Sequence, residues 1–276
     1  MGKTKTGKPY NTFYKNDVAL DNPSYTGIQT SVVKLIDGLG NNSALGISDD
    51  AVVIKAENDN TTGTLVAQNS GGSNILAVDT TNSKVLVGAS QVAANTQYAY
   101  FGVSYQDATG SANFGADTHY AIPFNYANFG AAAANITMGS STSSSFNDTN
   151  PAATLTISTT AMDIVTCYWY VMDNITIDSV KWLHAADTAT GEATAAHLMA
   201  YTVDIANGST GGDLSSGVVV ADGATITNAG YEQIYYQSMT IQSADVDAGK
   251  VILFTFASDT INSDYTINAT VKYHVR

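Results

Sequence analysis

The sequence predicts an all-β protein, and three observations carry that prediction. Residues 45–88 hold short apolar groups, LGI, VVIKA, TLVAQ, NILAVD and KVLVG, which return every eight to eleven residues between turn-forming clusters. After Pro151, about eight further apolar runs are divided by clusters such as NGSTGGD, ADG and DAGK, a spacing that fits an antiparallel sandwich or jelly roll. Alternation is visible in YTINATVKYHV: Ile267, Ala269, Val271, Tyr273 and Val275 share one face, and Thr266, Asn268, Thr270, Lys272 and His274 the other.

With 276 residues the chain has enough material for a real core, and 13% charged with 9% aromatic residues is not the profile of a disordered chain. Its one cysteine, Cys167, lies inside the apolar run IVTCYWYVM; it reads as a small buried residue and leaves no intrachain disulfide. The first lysines are not followed by an apolar core, and nowhere do eighteen apolar residues run together. Neither a standard secretion signal nor a membrane span is expected.

The net charge of -13 is unevenly spread. In residues 1–34, five lysines stand against two aspartates, giving +3, so the remaining 242 residues carry -16. A basic arm on an acidic body implies that the two parts meet different surroundings; a solvated tail that happens to be basic is the plainer alternative. The acidic body argues against nucleic-acid binding, which needs Lys and Arg clustered along a face.

Taken in order, residues 1–25 show neither helical nor strand period. They carry Lys3, Lys5, Lys8, Tyr10, Phe13 and Tyr14, lysines and aromatic anchors of the kind that order an extended segment against a partner. Residues 26–40 place Ile28, Val32, Leu35 and Leu39 at spacings of four, three and four, followed by Gly38 and Gly40. That pattern predicts a short amphipathic or coiled-coil helix of about two heptads. Residues 41–90 form the ladder of short strands. In NILAVD, Leu76 and Val78 face one side and Ile75 and Ala77 the other, so both faces are apolar and need cover, for which copies of the same chain are the simplest source. Residues 91–152, rich in Ala, Gly and aromatics including Tyr98, Tyr100 and Phe101, read as a connecting module. Its tyrosines are either an exposed ligand platform or packing at a junction. Residues 153–276 form the sandwich.

Chemistry is sparse. His119, His184, His197 and His274 fit no metal-binding spacing, there is no CxxC pair, and neither a GxSxG elbow nor a phosphate-cradling loop is present. His184 and His197 flank one turn and would approach each other in a hairpin; His274 is expected at the surface. Asp245 and Asp247 in DVDAGK read as half of a calcium loop or as a plain hairpin turn.

The stretch LVAQNSGGSNILAVDTTNSKVLVG resembles the short shaft repeats of bacteriophage tail fibres and related virion appendages. The matching parts are the apolar triplet 65–67, the turn 69–72, the strand 75–79, the second turn 80–83 and the exit 85–88. The resemblance implies a homotrimer, with three chains supplying strands around one axis and a C-terminal knob. Its seam would comprise Ile28, Val32, Leu35, Leu39, Leu76 and Val78. The implied protein is a non-enzymatic virion surface component, assembled in the host cytoplasm and held on a capsid or tail protein through residues 1–25. Capsid decoration protein or head fibre is the first reading. The alternatives are a short tail fibre whose knob binds a host surface glycan or receptor, and a virion-associated polysaccharide depolymerase. No catalytic residue, cofactor, metal, nucleic acid or membrane partner is expected.

Overall fold

The computed structural model describes residues 18–22, 27–88, 92–106, 116–125, 137–140, 151–155, 164–186, 191–204, 212–230, 232–259 and 264–276. The chain divides into two compact units, Met1–Asn95 and Thr96–Arg276. All the sheets are antiparallel, and no α-helical element occurs among the described residues. The arm residues Lys3, Lys5, Lys8, Tyr10, Phe13 and Tyr14 lie outside the described set.

The first unit holds two four-stranded sheets of very short strands. One runs β1 (Val18–Leu20), β2 (Val33–Asp37), β3 (Asn42–Ile47) and β4 (Val52–Ile54); the other runs β5 (Val66–Gln68), β6 (Asn74–Asp79), β7 (Lys84–Val87) and β8 (Val92–Ala93). The helix expected over residues 26–40 is not formed: residues 27–32 are irregular and Val33–Asp37 is a strand paired with β1 and β3. Local chemistry explains the difference. Three glycines in fifteen residues weaken a helix, and β-branched Val32, Val33 and Ile36 favour extended backbone. Asp37 then closes the turn, its Oδ1 accepting the backbone N–H of Leu39 and of Asn41 while Oδ2 accepts from the Asn41 amide. The apolar spacing of the predicted helix is thus spread over a loop, a strand and a turn.

The second unit is built from two sheets packed face to face. The first contains β9 (Thr96–Gln106), β13 (Ile175–Ala186), β17 (Gln233–Ser238) and β21 (Tyr265–Val275), in the order β17-β13-β21-β9, with β19 (Asp245–Val246) also on β13. The second runs β11 (Thr137–Ser140), β10 (Thr118–Ile122), β20 (Lys250–Ser258), β14 (Ala193–Val203), β15 (Leu214–Asp222) and β18 (Thr240–Ile241). Two short strands join it, β12 (Trp169–Tyr170) on β20 and β16 (Ile226–Thr227) on β14. Between the sheets lies the main core, where Phe101, Val180, Trp182, Ile267 and Val271 of one sheet meet Leu198, Ile252, Phe254 and Phe256 of the other. The second sheet is covered on its outer face too: Met138, Ile164, Cys167 and Leu214 pack against Met199, Tyr201, Val251 and Leu253. Burial on both faces is why β20 reads as an unbroken apolar run rather than an alternation.

Two expectations change here. The strands β9 and β10 are hydrogen-bonded to β21 and β20, so from Thr96 onward the described part of residues 91–152 belongs to this unit and is not a separate connecting module. His274 is buried, not at the surface, although it does lie on the polar side of β21. The β13–β21 register shifts between Ile177 and Ser179, leaving Asp178 as the extra residue of a bulge, and the Asp178 carboxylate stands 3.0 Å from His274 Nδ1.

Candidate functional site

The first unit holds its shape through turns more than through a core. In NSGGS the Asn69 Oδ1 accepts the N–H groups of Gly71 and Ser73, and Gly72 takes φ 82°, a conformation glycine supplies without a steric cost. At the next turn Asp79 accepts from the Asn82 backbone and amide and lies opposite Lys84 on the neighbouring strand. Desolvation pushes the Asp79 carboxyl upward, but the Asn82 and Thr81 hydrogen bonds and the Lys84 charge outweigh it and hold the group below its ordinary value. Asn60 caps a third turn by accepting from Thr62 and Gly63.

These turns support sheets with almost nothing inside them. Among the described residues of the unit, Ala77 is the one buried hydrophobic residue, while twelve large apolar side chains are more than a third exposed. They include Val52 at 69%, Ile75 at 56% and Ile28 at 55%. The register sorts the β5–β8 sheet into two faces. Ala67, Leu76, Val78, Val85 and Val87 point one way; Val66, Ala77 and Leu86 point the other. A single chain therefore leaves wide apolar surface in water, which is the usual mark of an interface.

Of the expected seam residues, Ile28, Val32 and Leu39 are exposed, whereas Leu35, Leu76 and Val78 are half-buried. Val32 lies across Gly46, where a Cβ would come within 2.7 Å of Val32 Cγ1. Leu76 and Val78 share their face with Val85 and Val87. Those two, with Val52, Val53 and Ile54 of β4, are surface residues that the heptad reading passed over. The alternation in KVLVG and the apolar triplet VVI were the signals for them.

The second unit gathers its titratable groups into separate buried pairs. His184 lies between Trp182 and Tyr235, with ring centroids 4.9 and 5.1 Å away, and its Nε2 is 3.1 Å from Asn228 Oδ1. Burial pushes its pKa down to about 4 against the opposing Asn228 bond. His197 meets His119 edge-on at 5.0 Å, and its Nε2 is 3.2 Å from Asp222 Oδ1; burial and the neighbouring His119 push it down to about 3. His184 and His197 are not brought together: His184 lies in the core between the sheets against Phe256, whereas His197 is on the opposite face of β14 from Ala196 and Leu198, which face that core. Tyr265 donates its hydroxyl to buried Glu192.

Asp245 and Asp247 are both taken by the Arg276 guanidinium at 3.2 and 3.0 Å, and Thr176 donates to Asp245, so this motif clamps the last residue. Among the described residues no group of three or more metal-binding side chains converges. A cavity of about 520 Å³ opens where Ala185, Glu232, Gln233, Ile234, Asp264 and Thr266 meet at one end of the first sheet.

A scan against protein-family models and a search of curated proteins both return no match.

Proposed function

We propose that the protein is a non-enzymatic structural component of a phage virion surface. Three copies of residues 18–95 would complete a shaft, the part of the expected arm that precedes β1, residues 1–17, would anchor it, and residues 96–276 would be displayed as a jelly-roll knob. The observation that carries this reading is the apolar surface of the first unit. Among its described residues, twelve large side chains left in water around one buried alanine amount to a fraction of a core, for which copies of the same strands would supply the rest. The knob assignment is supported by strand order. The eight principal strands, taken along the chain as β9, β10, β13, β14, β15, β17, β20 and β21, fall into two four-stranded groups ordered β17-β13-β21-β9 and β10-β20-β14-β15, as two interleaved Greek keys require.

A capsid decoration protein or head fibre is the first form of this reading. The short tail fibre is the second, and the exposed tyrosines of β9 favour it by giving the knob a surface suited to binding. Removal of residues 1–17, which leaves β1 on its sheet, tests the anchor: the shortened protein is expected to stay folded and oligomeric but to stop co-sedimenting with particles. Co-sedimentation at the level of the full chain would overturn the assignment.

A further inference from the structure

On the outer face of the β17-β13-β21-β9 sheet Tyr98, Tyr100 and Lys181 are exposed, and the register places aromatic rings beside cations. Residues directly opposite each other share a face, so Tyr98 lies next to Lys272, and one rung on, Tyr100, Thr270 and Lys181 follow each other across three strands. Tyr98 is 52% and Tyr100 46% exposed, while Ala99 and Phe101 between and beyond them point into the core. The two rungs are about 7 Å apart along β9, and Tyr100 and Lys181 are about 10 Å apart across the sheet.

At these two rungs the charge is positive in an acidic unit, while Asp178 and Asp245 lie farther along the same face, beside His274, Thr176 and Arg276. Residues 96–276 contain four cationic side chains against sixteen carboxylates, and Lys181 and Lys272 are two of the four. Neither lysine has an ion-pair partner among the described residues; Lys181 donates to Ser238 Oγ. The nearest side chains across the strands are hydroxyls and an amide, Ser238, Thr270 and Asn268, and beyond Lys181 the face continues with Leu183 and Tyr236.

We infer that this face binds a carboxylated polysaccharide, with sugar rings laid on Tyr98 and Tyr100 and their carboxylates on Lys272 and Lys181. Each part of the arrangement has a matching part in such a ligand. A pyranose ring presents a flat C–H face to a tyrosine, which offers rigid amphipathic area at low entropic cost. Ring hydroxyls exchange hydrogen bonds with the Thr and Asn side chains. Acid groups meet the ammonium groups on a body that repels polyanions elsewhere. Two lysines are far too few for a nucleic-acid backbone, whose binding relies on many phosphate contacts.

The test uses the full-length protein and an oligomer of alginate, a polymer of uronic acids, in a calorimetric titration. Binding is expected, with a neutral glucan of equal length and a polyphosphate each weaker by about tenfold or more. Tyr98→Ala with Tyr100→Ala, and separately Lys181→Gln with Lys272→Gln, are each expected to weaken alginate binding by about tenfold at unchanged melting temperature. Should the tyrosine pair impair folding, Lys181→Glu with Lys272→Glu, which alters charge on an exposed face without touching the core, carries the same expectation. The inference is overturned by any of four results: no alginate binding, binding indifferent to the tyrosine and lysine substitutions, equal binding of polyphosphate, or dissociation of the protein into single chains on substitution, which would mean that a second copy covers the face. It stands on the second unit alone, so its failure leaves the particle-anchoring test to be decided separately.

Discussion

At Gly217 an added Cβ would stand 2.5 Å from Cε1 of Tyr201 and 2.9 Å from the Cα of Ala153, and the Tyr201 ring is fully buried. Gly217→Ala is expected to cost about 1–3 kcal/mol as an overpacked substitution, read as a lower melting temperature. The buried histidines give a pH dependence with a definite sign. His184 and His197 have folded pKa values below the 6.5 of the exposed ring, so their contribution is full above pH 6.5 and is lost progressively as pH falls from there to the folded values near 4 and 3. By pH 4.5 each is expected to have removed about 2–3 kcal/mol, with His184→Gln flattening the profile. A melting temperature equal at pH 7 and 4.5 would contradict this. Cys167, buried against the Ala121 carbonyl, is expected to react with a thiol reagent only on unfolding. That burial was legible from the apolar residues around the cysteine. His274 was not legible, because its burial follows from a bulge at Asp178, and an alternating pattern records which face a residue occupies but not whether a partner covers it.

Among the elements, the short strands were the most legible, since turn residues such as Asn69, Gly72 and Asp79 act locally and mark their positions in the sequence itself. The stretch Gly27–Gly40 was misread because three- and four-residue apolar spacings also arise when a loop, a strand and a turn each contribute one or two apolar residues. Strand pairing decided the matter, through contacts of Val33 with Ile47 and of Leu20 with Leu35 that lie far apart in sequence. Leu76→Asp or Val78→Asp places a carboxylate on the apolar face of β6, β7 and the strand beside them. If that face is covered in the assembly, either change should cost several kcal/mol and shift the protein toward single chains. A substituted protein that stays assembled and melts as the parent does would remove this face from the interface.

For the molecule as a whole, the all-β character was legible, but the place of residues 96–140 in the second unit was not. Composition marked residues 91–152 as different, yet β9 and β10 take their places beside β21 and β20, partners that come some 150 residues later and leave no local trace. The charge asymmetry leads to an expectation at this scale: attachment through Lys3, Lys5 and Lys8 should weaken as salt rises, because exposed charges are screened beyond about 10 Å at 0.1 M. Co-sedimentation measured across a salt series reads it directly. The central claim is that one chain supplies only part of the core around residues 18–95. Sedimentation equilibrium of the full-length protein tests it most directly. A mass of three chains, stable on dilution, is the result the account predicts; a stable single-chain mass would contradict it.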